Sequence, residues 1–263
     1  MTDGAPQTGT RCDSLAIMWT DVVDLRDFYA TSLGQSAQRL VRRRVRAMWP
    51  DVTAQRVLGL GYVVPYLRPF HEQAERVMAV MPASQGVLHW PRPGPNQVAL
   101  ADEAELPFPD ASIDRVLLVH ALECSEQVRP MLREVWRVLA DGGRLLVVVP
   151  NRRGIWARFD RSPFGHGQPY TDSQLSRLLR DNLFTPIASA GSLFAPPSHF
   201  RMMLAAAPAW ERLGSRWFKT FAGVVLIEAG KQIYAASPAR AVKRKRRAYL
   251  PIGQSSPRGV VKS

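Results

Sequence analysis

Cysteine is almost absent from this chain. Only Cys12 and Cys124 occur in 263 residues, far apart and in no metal-type pairing. That excludes a disulfide scaffold and fits a reducing compartment. Long apolar runs are missing as well, and none approaches the roughly 18–20 residues needed to span a bilayer. The opening stretch "MTDGAPQTGTRCDS" has no basic segment followed by an apolar one, so no signal peptide is expected and a cytoplasmic location is. There is no phosphate loop ending in Gly-Lys-Ser/Thr, no serine-centred nucleophile elbow and no metal-ligand spacing of histidines. Nucleoside triphosphate hydrolysis, serine-hydrolase chemistry and a bound metal are therefore not expected. Acids are missing from one informative place, the stretch between Arg76 and Asp102.

What is present is a large apolar fraction, 46% of residues, ample for a folded core. The net charge is +13. Five arginines fall between Arg39 and Trp49, and the tail from Ala239 onward carries eight basic residues and no acid. Basic patches attract nucleic acid, anionic lipid or acidic partners. Arg39, Arg42, Arg43 and Arg46, however, share one helical face while Leu40, Val41 and Val45 can point inward, the pattern of a solvated amphipathic helix. No separate RNA-binding module accompanies the charge, so nucleic acid rests on charge alone. The expected division is an N-terminal helical extension over 1–50, an α/β domain over 51–236 and a basic, poorly ordered tail over 237–263.

Within the domain, short apolar runs alternate with amphipathic stretches. Strands are expected at 56–61, 76–82, 97–102, 114–122 and 144–151, and their continuous apolar character suits a parallel sheet covered on both faces. The helix "EQVRPMLREVWRVLADGG" should stop at Gly142-Gly143. Thr171 and Gln174 form a capping box for a helix over 172–183. The stretches 185–194 and 222–236 read as two closing strands, an antiparallel pair, with a helix over 200–217 between them. The fold class is α/β with a doubly wound, mostly parallel seven-stranded sheet.

Two segments carry a resemblance beyond topology. "ADEAELPFPDASIDRVLLVHALE" (101–123) resembles the third and fourth motifs of the type 11 methyltransferase family. "MLREVWRVLADGGRLLVVVPN" (131–151) resembles the helix and fifth strand that follow. The chain is thus similar to class I, Rossmann-like, S-adenosylmethionine-dependent methyltransferases, and with "GLGY…PYLRPF", "LHWP" and "PFGHG" to an alphaproteobacterial branch of them. The resemblance implies S-adenosylmethionine as cofactor, held outside the carboxyl ends of the strands. Gly59 and Gly61 would let backbone approach its methionine and ribose portions, with Tyr62 covering them. Asp102 and Glu103 would meet the adenine, Ala104 would offer its backbone, and His120 would lie near the sulfonium.

The chain also departs from that pattern. Gly59 stands where the family commonly has an acid, Val63 and Pro65 replace frequent glycines, and the acid that ends strand two and holds the ribose hydroxyls is missing from "AVMPASQG". No catalytic group is assigned, because methyl transfer from a sulfonium needs placement more than a base. The loop "NRRGIWARFDRSPFGHGQPYT" should cover the acceptor, with Trp156, Phe159, His166 and Tyr170 as candidate substrate residues. The leading expectation is transfer of a methyl group to a small or lipid-like acceptor. The alternatives are an inactive relative docking a protein partner or forming a homodimer, and an RNA-directed enzyme.

Overall fold

The apolar runs pair into one sheet. Its strands are β1 (Arg56–Gly61), β2 (Arg76–Pro82), β3 (Val98–Ala101), β4 (Ile113–Val119), β5 (Leu139–Pro150), β6 (Phe184–Ser192) and β7 (Val224–Lys231). The order across the sheet is β3-β2-β1-β4-β5-β7-β6. The first five are parallel, and β7 runs antiparallel to both β5 and β6. The computed structural model describes residues 21–198, 201–217 and 219–232, so the basic tail expected over 237–263 lies outside the described residues.

Strand alternation divides the core into two layers, since successive side chains face opposite sides. Val57, Val77, Leu117, Val119 and Leu146 pack against α1 (Val22–Ala30) and α2 (Ser32–Met48) through Leu25, Phe28, Leu33, Val41 and Val45. Leu58, Leu60, Val80, Leu118 and Val147 face the other way, against α4 (Val128–Val138) and α5 (Asp172–Asp181). Between β1 and β2 lies the single turn α3 (Val64–Leu67), and α6 (Arg201–Trp217) precedes β7. The capping box at Thr171 and Gln174 forms as expected.

The N-terminal helices share the core of the sheet. Residues 1–50 were expected as an extension, yet Leu25, Val41, Val45 and Trp49 are essentially without solvent exposure and belong to the same cluster as β1 and β2. One residue joins the two helices. Thr31 Oγ1 donates to Phe28 O (2.7 Å) at the end of α1 and accepts from Gly34 N (3.0 Å) at the start of α2. The turn is so tight that a Cβ on Gly34 would stand 2.1 Å from Phe28 O.

Several boundaries differ from the sequence expectation, and two of them have a clear physical cause. α4 ends at Val138, and β5 begins at once with Leu139, whose N–H caps Val135 O. Leu139 pairs with Ile113, while the next register pair is Arg144 with Arg115, so Ala140–Gly143 forms a bulge. Both Leu139 and Ile113 are buried, and this pairing outweighs the stop signal of the glycines. β4 stops at Val119 because His120 turns out of the strand at φ 50°.

Gly34→Ala should therefore destabilise the fold by about 1–3 kcal/mol, as overpacking does. A melting curve should drop by about 2–4 °C for each kcal/mol. An unchanged melting temperature would show that the α1–α2 corner has slack.

Candidate functional site

Parallel strands leave a crevice outside their carboxyl ends where the strand order reverses, here between β1 and β4. Gly61 (φ 87°) ends β1, and a Cβ on it would lie 2.5 Å from Val119 O and 2.8 Å from the Ala121 Cβ. The turns after β1 and β4 thus interlock. Gly59 makes room for the chain itself, because a Cβ there would come within 2.3 Å of Val63 Cγ2. Val63 is fully buried and leads into α3, whose first turn holds Pro65, a position where a missing N–H costs no helical bond. The loop after β1 is a packed helical turn.

A cleft of about 360 Å³ opens beside it, along the ends of β2, β3 and β4. Its lining includes Pro82, Gln85, Asp102, Glu103, His120 and Cys124. Asp102 Oδ1 accepts from Ala104 N (2.8 Å), and the Glu103 carboxylate accepts from Ser125 Oγ. The Cys124 thiol is pushed up by burial and by the carboxylates of Glu123 and Glu103, which disfavours its thiolate.

The inner end of this cleft is closed by an aromatic and polar network centred on His120, which is 1% exposed. Its Nδ1 lies 3.2 Å from Glu123 Oε1, and its Nε2 lies 2.8 Å from Tyr29 Oη on α1. Tyr29 Oη is in turn 2.8 Å from Tyr66 Oη. His120 thus bridges Glu123 and Tyr29, and the Tyr29 hydroxyl bridges His120 and Tyr66. Tyr62 stacks on Tyr29 at 5.5 Å and 8°, and the Phe164 ring lies 5.1 Å from the His120 ring. Gln85 Nε2 donates to His120 O (2.9 Å), and Gln85 O accepts from Val22 N (2.8 Å), so α1 lies across the inner end of the cleft.

Of the residues expected to bind cofactor, the structure gathers Asp102, Glu103 and His120 around the cleft. Gly59 and Gly61 shape the neighbouring turns, Tyr62 is stacked beneath α1, and the Ala104 N–H is taken up by Asp102. The four candidate substrate residues do not come together. Trp156 is buried with Nε1 donating to Ala195 O (2.8 Å). Phe159 packs on the α1–α2 side and Tyr170 on the opposite side of the sheet, while His166 Nε2 lies 2.7 Å from Asp160 O. Tyr29, Tyr66, Gln85 and Glu123 were not singled out from sequence. Only Glu123, three residues after His120 in "HALE", carried a local signal.

The sequence pattern of the methyltransferase domain family matches residues 58–147, the segment from β1 to β5 that builds this cleft. That segment thus resembles a methyltransferase domain, and the sheet has the fold of solved methyltransferases. A probable S-adenosylmethionine-dependent methyltransferase of Mycobacterium tuberculosis is 34% identical over 157 residues, covering 56% of this chain and 55% of the relative. The chain therefore spans about half the length of the curated relatives it matches. Among solved structures, an S-adenosylmethionine-dependent methyltransferase of Thermotoga maritima superposes with TM-score 0.57 at 17% identity, covering 80% of this chain and 96% of the other. A didemethyltoxoflavin N1-methyltransferase of Burkholderia thailandensis, solved with its acceptor and S-adenosylhomocysteine, superposes with TM-score 0.51 at 18% identity over 80% and 84% of the two chains. Among the described residues of the methyltransferase domain and its flanks, no helix is long and apolar enough to cross a membrane, and no cluster could hold a metal ion.

Burial raises the phenols of Tyr29, Tyr66 and Tyr62, the last to about 12. The folded state therefore keeps protons that the unfolded chain releases near pH 10, and stability present below that pH is lost as pH rises toward 12 and beyond. The denaturation midpoint should fall across this window, with phenolate absorbance appearing only as the protein unfolds. Tyr29→Phe should flatten the dependence. Phenolate titration of Tyr29 and Tyr66 in the folded protein near pH 10 would contradict the buried network.

Proposed function

We propose that the chain is an S-adenosylmethionine-dependent methyltransferase acting on a small or lipid-like acceptor. The observation that carries this reading is the gathering of Asp102, Glu103 and His120 around one cleft at the carboxyl ends of β2, β3 and β4. It stands within the segment that matches the methyltransferase domain.

The cleft's own chemistry suits an adenosine. Two carboxylates stand at its β3 edge, and Oε1 of Gln85 is a buried acceptor with no partner at its β2 edge. Bound there, S-adenosylmethionine supplies a methyl group already activated on a sulfonium. Asp102 and Glu103 would accept from the adenosine portion. Ala121 and the aliphatic part of Cys124 supply apolar wall beneath it. The buried aromatic rings of Tyr29, Tyr62 and Phe164 keep water from the inner end. Exclusion of water and fixed placement are what an in-line methyl transfer asks of a protein. Because Tyr29 fills the space beside His120, α1 must shift for a ligand to extend from the cleft toward His120 Nε2. The aromatic character of that space favours an apolar acceptor over a nucleic acid backbone.

Calorimetric titration of the purified protein should show S-adenosylmethionine and S-adenosylhomocysteine binding in the micromolar range. Asp102→Ala should weaken both by about tenfold to a hundredfold, the worth of a hydrogen bond to a charged group. No binding of either compound would sink the reading. With a labelled methyl donor and a cell extract, label should appear in small-molecule or organic-soluble fractions. Label confined to protein or RNA would overturn the acceptor class.

A further inference from the structure

Gln85 is 4% exposed and lies in the turn after β2, where its neighbours Pro82, Ala83 and Ser84 line the cleft. Three of its polar groups are committed. Its backbone N–H donates to Pro82 O (2.9 Å), its carbonyl accepts from Val22 N (2.8 Å), and Nε2 donates to His120 O (2.9 Å). The last bond fixes which way the amide faces, since a carbonyl can only accept and must meet the nitrogen. Oε1 is thereby held on the opposite side, buried and without a partner. A buried acceptor left unpaired is costly, so its retention points to a donor that arrives from outside.

Resting on the adenosine-cleft reading above, we propose that Gln85 Oε1 is the acceptor for the ribose hydroxyls, in place of an acid at the end of β2. The structure also gives the reason for an amide here. The residue must donate to His120 O on one side and accept from the ligand on the other. A carboxylate can do only the second, and it would set a negative charge against the His120 carbonyl. Gln85 thus ties ligand binding to the peptide that turns β4 toward Tyr29.

The test titrates the full chain with S-adenosylhomocysteine and with an analogue lacking both ribose hydroxyls. The wild-type protein should lose about tenfold in affinity when the hydroxyls are removed. Gln85→Leu should bind S-adenosylhomocysteine about tenfold more weakly and show no further loss with the analogue. Gln85→Glu should also bind more weakly than wild type, although it restores an acid. Wild type binding both ligands equally would overturn the proposal, and so would Gln85→Leu losing the same factor against each, the mark of a framework role. If Gln85→Leu fails to fold, Gln85→Asn, which keeps the amide but shortens its reach, takes its place and should likewise lose the discrimination between the two ligands. Failure of wild type to bind either ligand would instead remove the adenosine reading itself.

Discussion

A histidine without solvent exposure must find partners for both ring nitrogens, and His120 does so by drawing a distant helix onto the end of β4. Glu123 meets Nδ1 from the same turn, and Tyr29 meets Nε2 from a helix ninety-one positions earlier. Leaving a buried ring nitrogen unpaired would cost about 1–3 kcal/mol. This constraint explains why α1 lies where it does. It also explains the left-handed backbone at His120, because that turn aims the ring inward while its carbonyl faces Gln85.

The loop after β1 answers to a different constraint. In this fold class a glycine-rich turn commonly leaves room for a ligand, and the glycines at 59 and 61 suggested the same. Here Val63 occupies the space beside Gly59, and the turn after β4 occupies the space beside Gly61. Both glycines are required, but by close contact within the protein. The accessible cleft is displaced toward β2 and β3, where Asp102, Glu103 and Gln85 stand. Gly59 and Val63, two of the departures from the family pattern, pack this corner.

Much of the architecture was legible because short continuous apolar runs bounded by Gly and Pro suit strands buried on both faces. β1 and β2 were bounded correctly, and the antiparallel closing pair followed from the two apolar stretches flanking a helix. The start of β5 was misplaced because Gly142-Gly143 is a strong local stop signal, yet pairing of Leu139 with Ile113 is a tertiary effect. That Asp102, Glu103 and His120 border the crevice could be read because they stand at the ends of strands that must face it. Trp156 and Tyr170 looked equivalent in one loop, but the sheet puts them on opposite sides.

The sequence by itself determined the sheet, its doubly wound class and the edge at which a crevice must open, because periodicity and punctuation are local properties of the chain. Only the tertiary structure decided which side chains meet there. Tyr29, Gln85 and Glu123 belong to a helix, a turn and a loop that share no spacing rule, and each is recruited by the hydrogen-bonding needs of His120. Burial sets those needs, and burial exists only once the helices and the sheet have closed around the same residue.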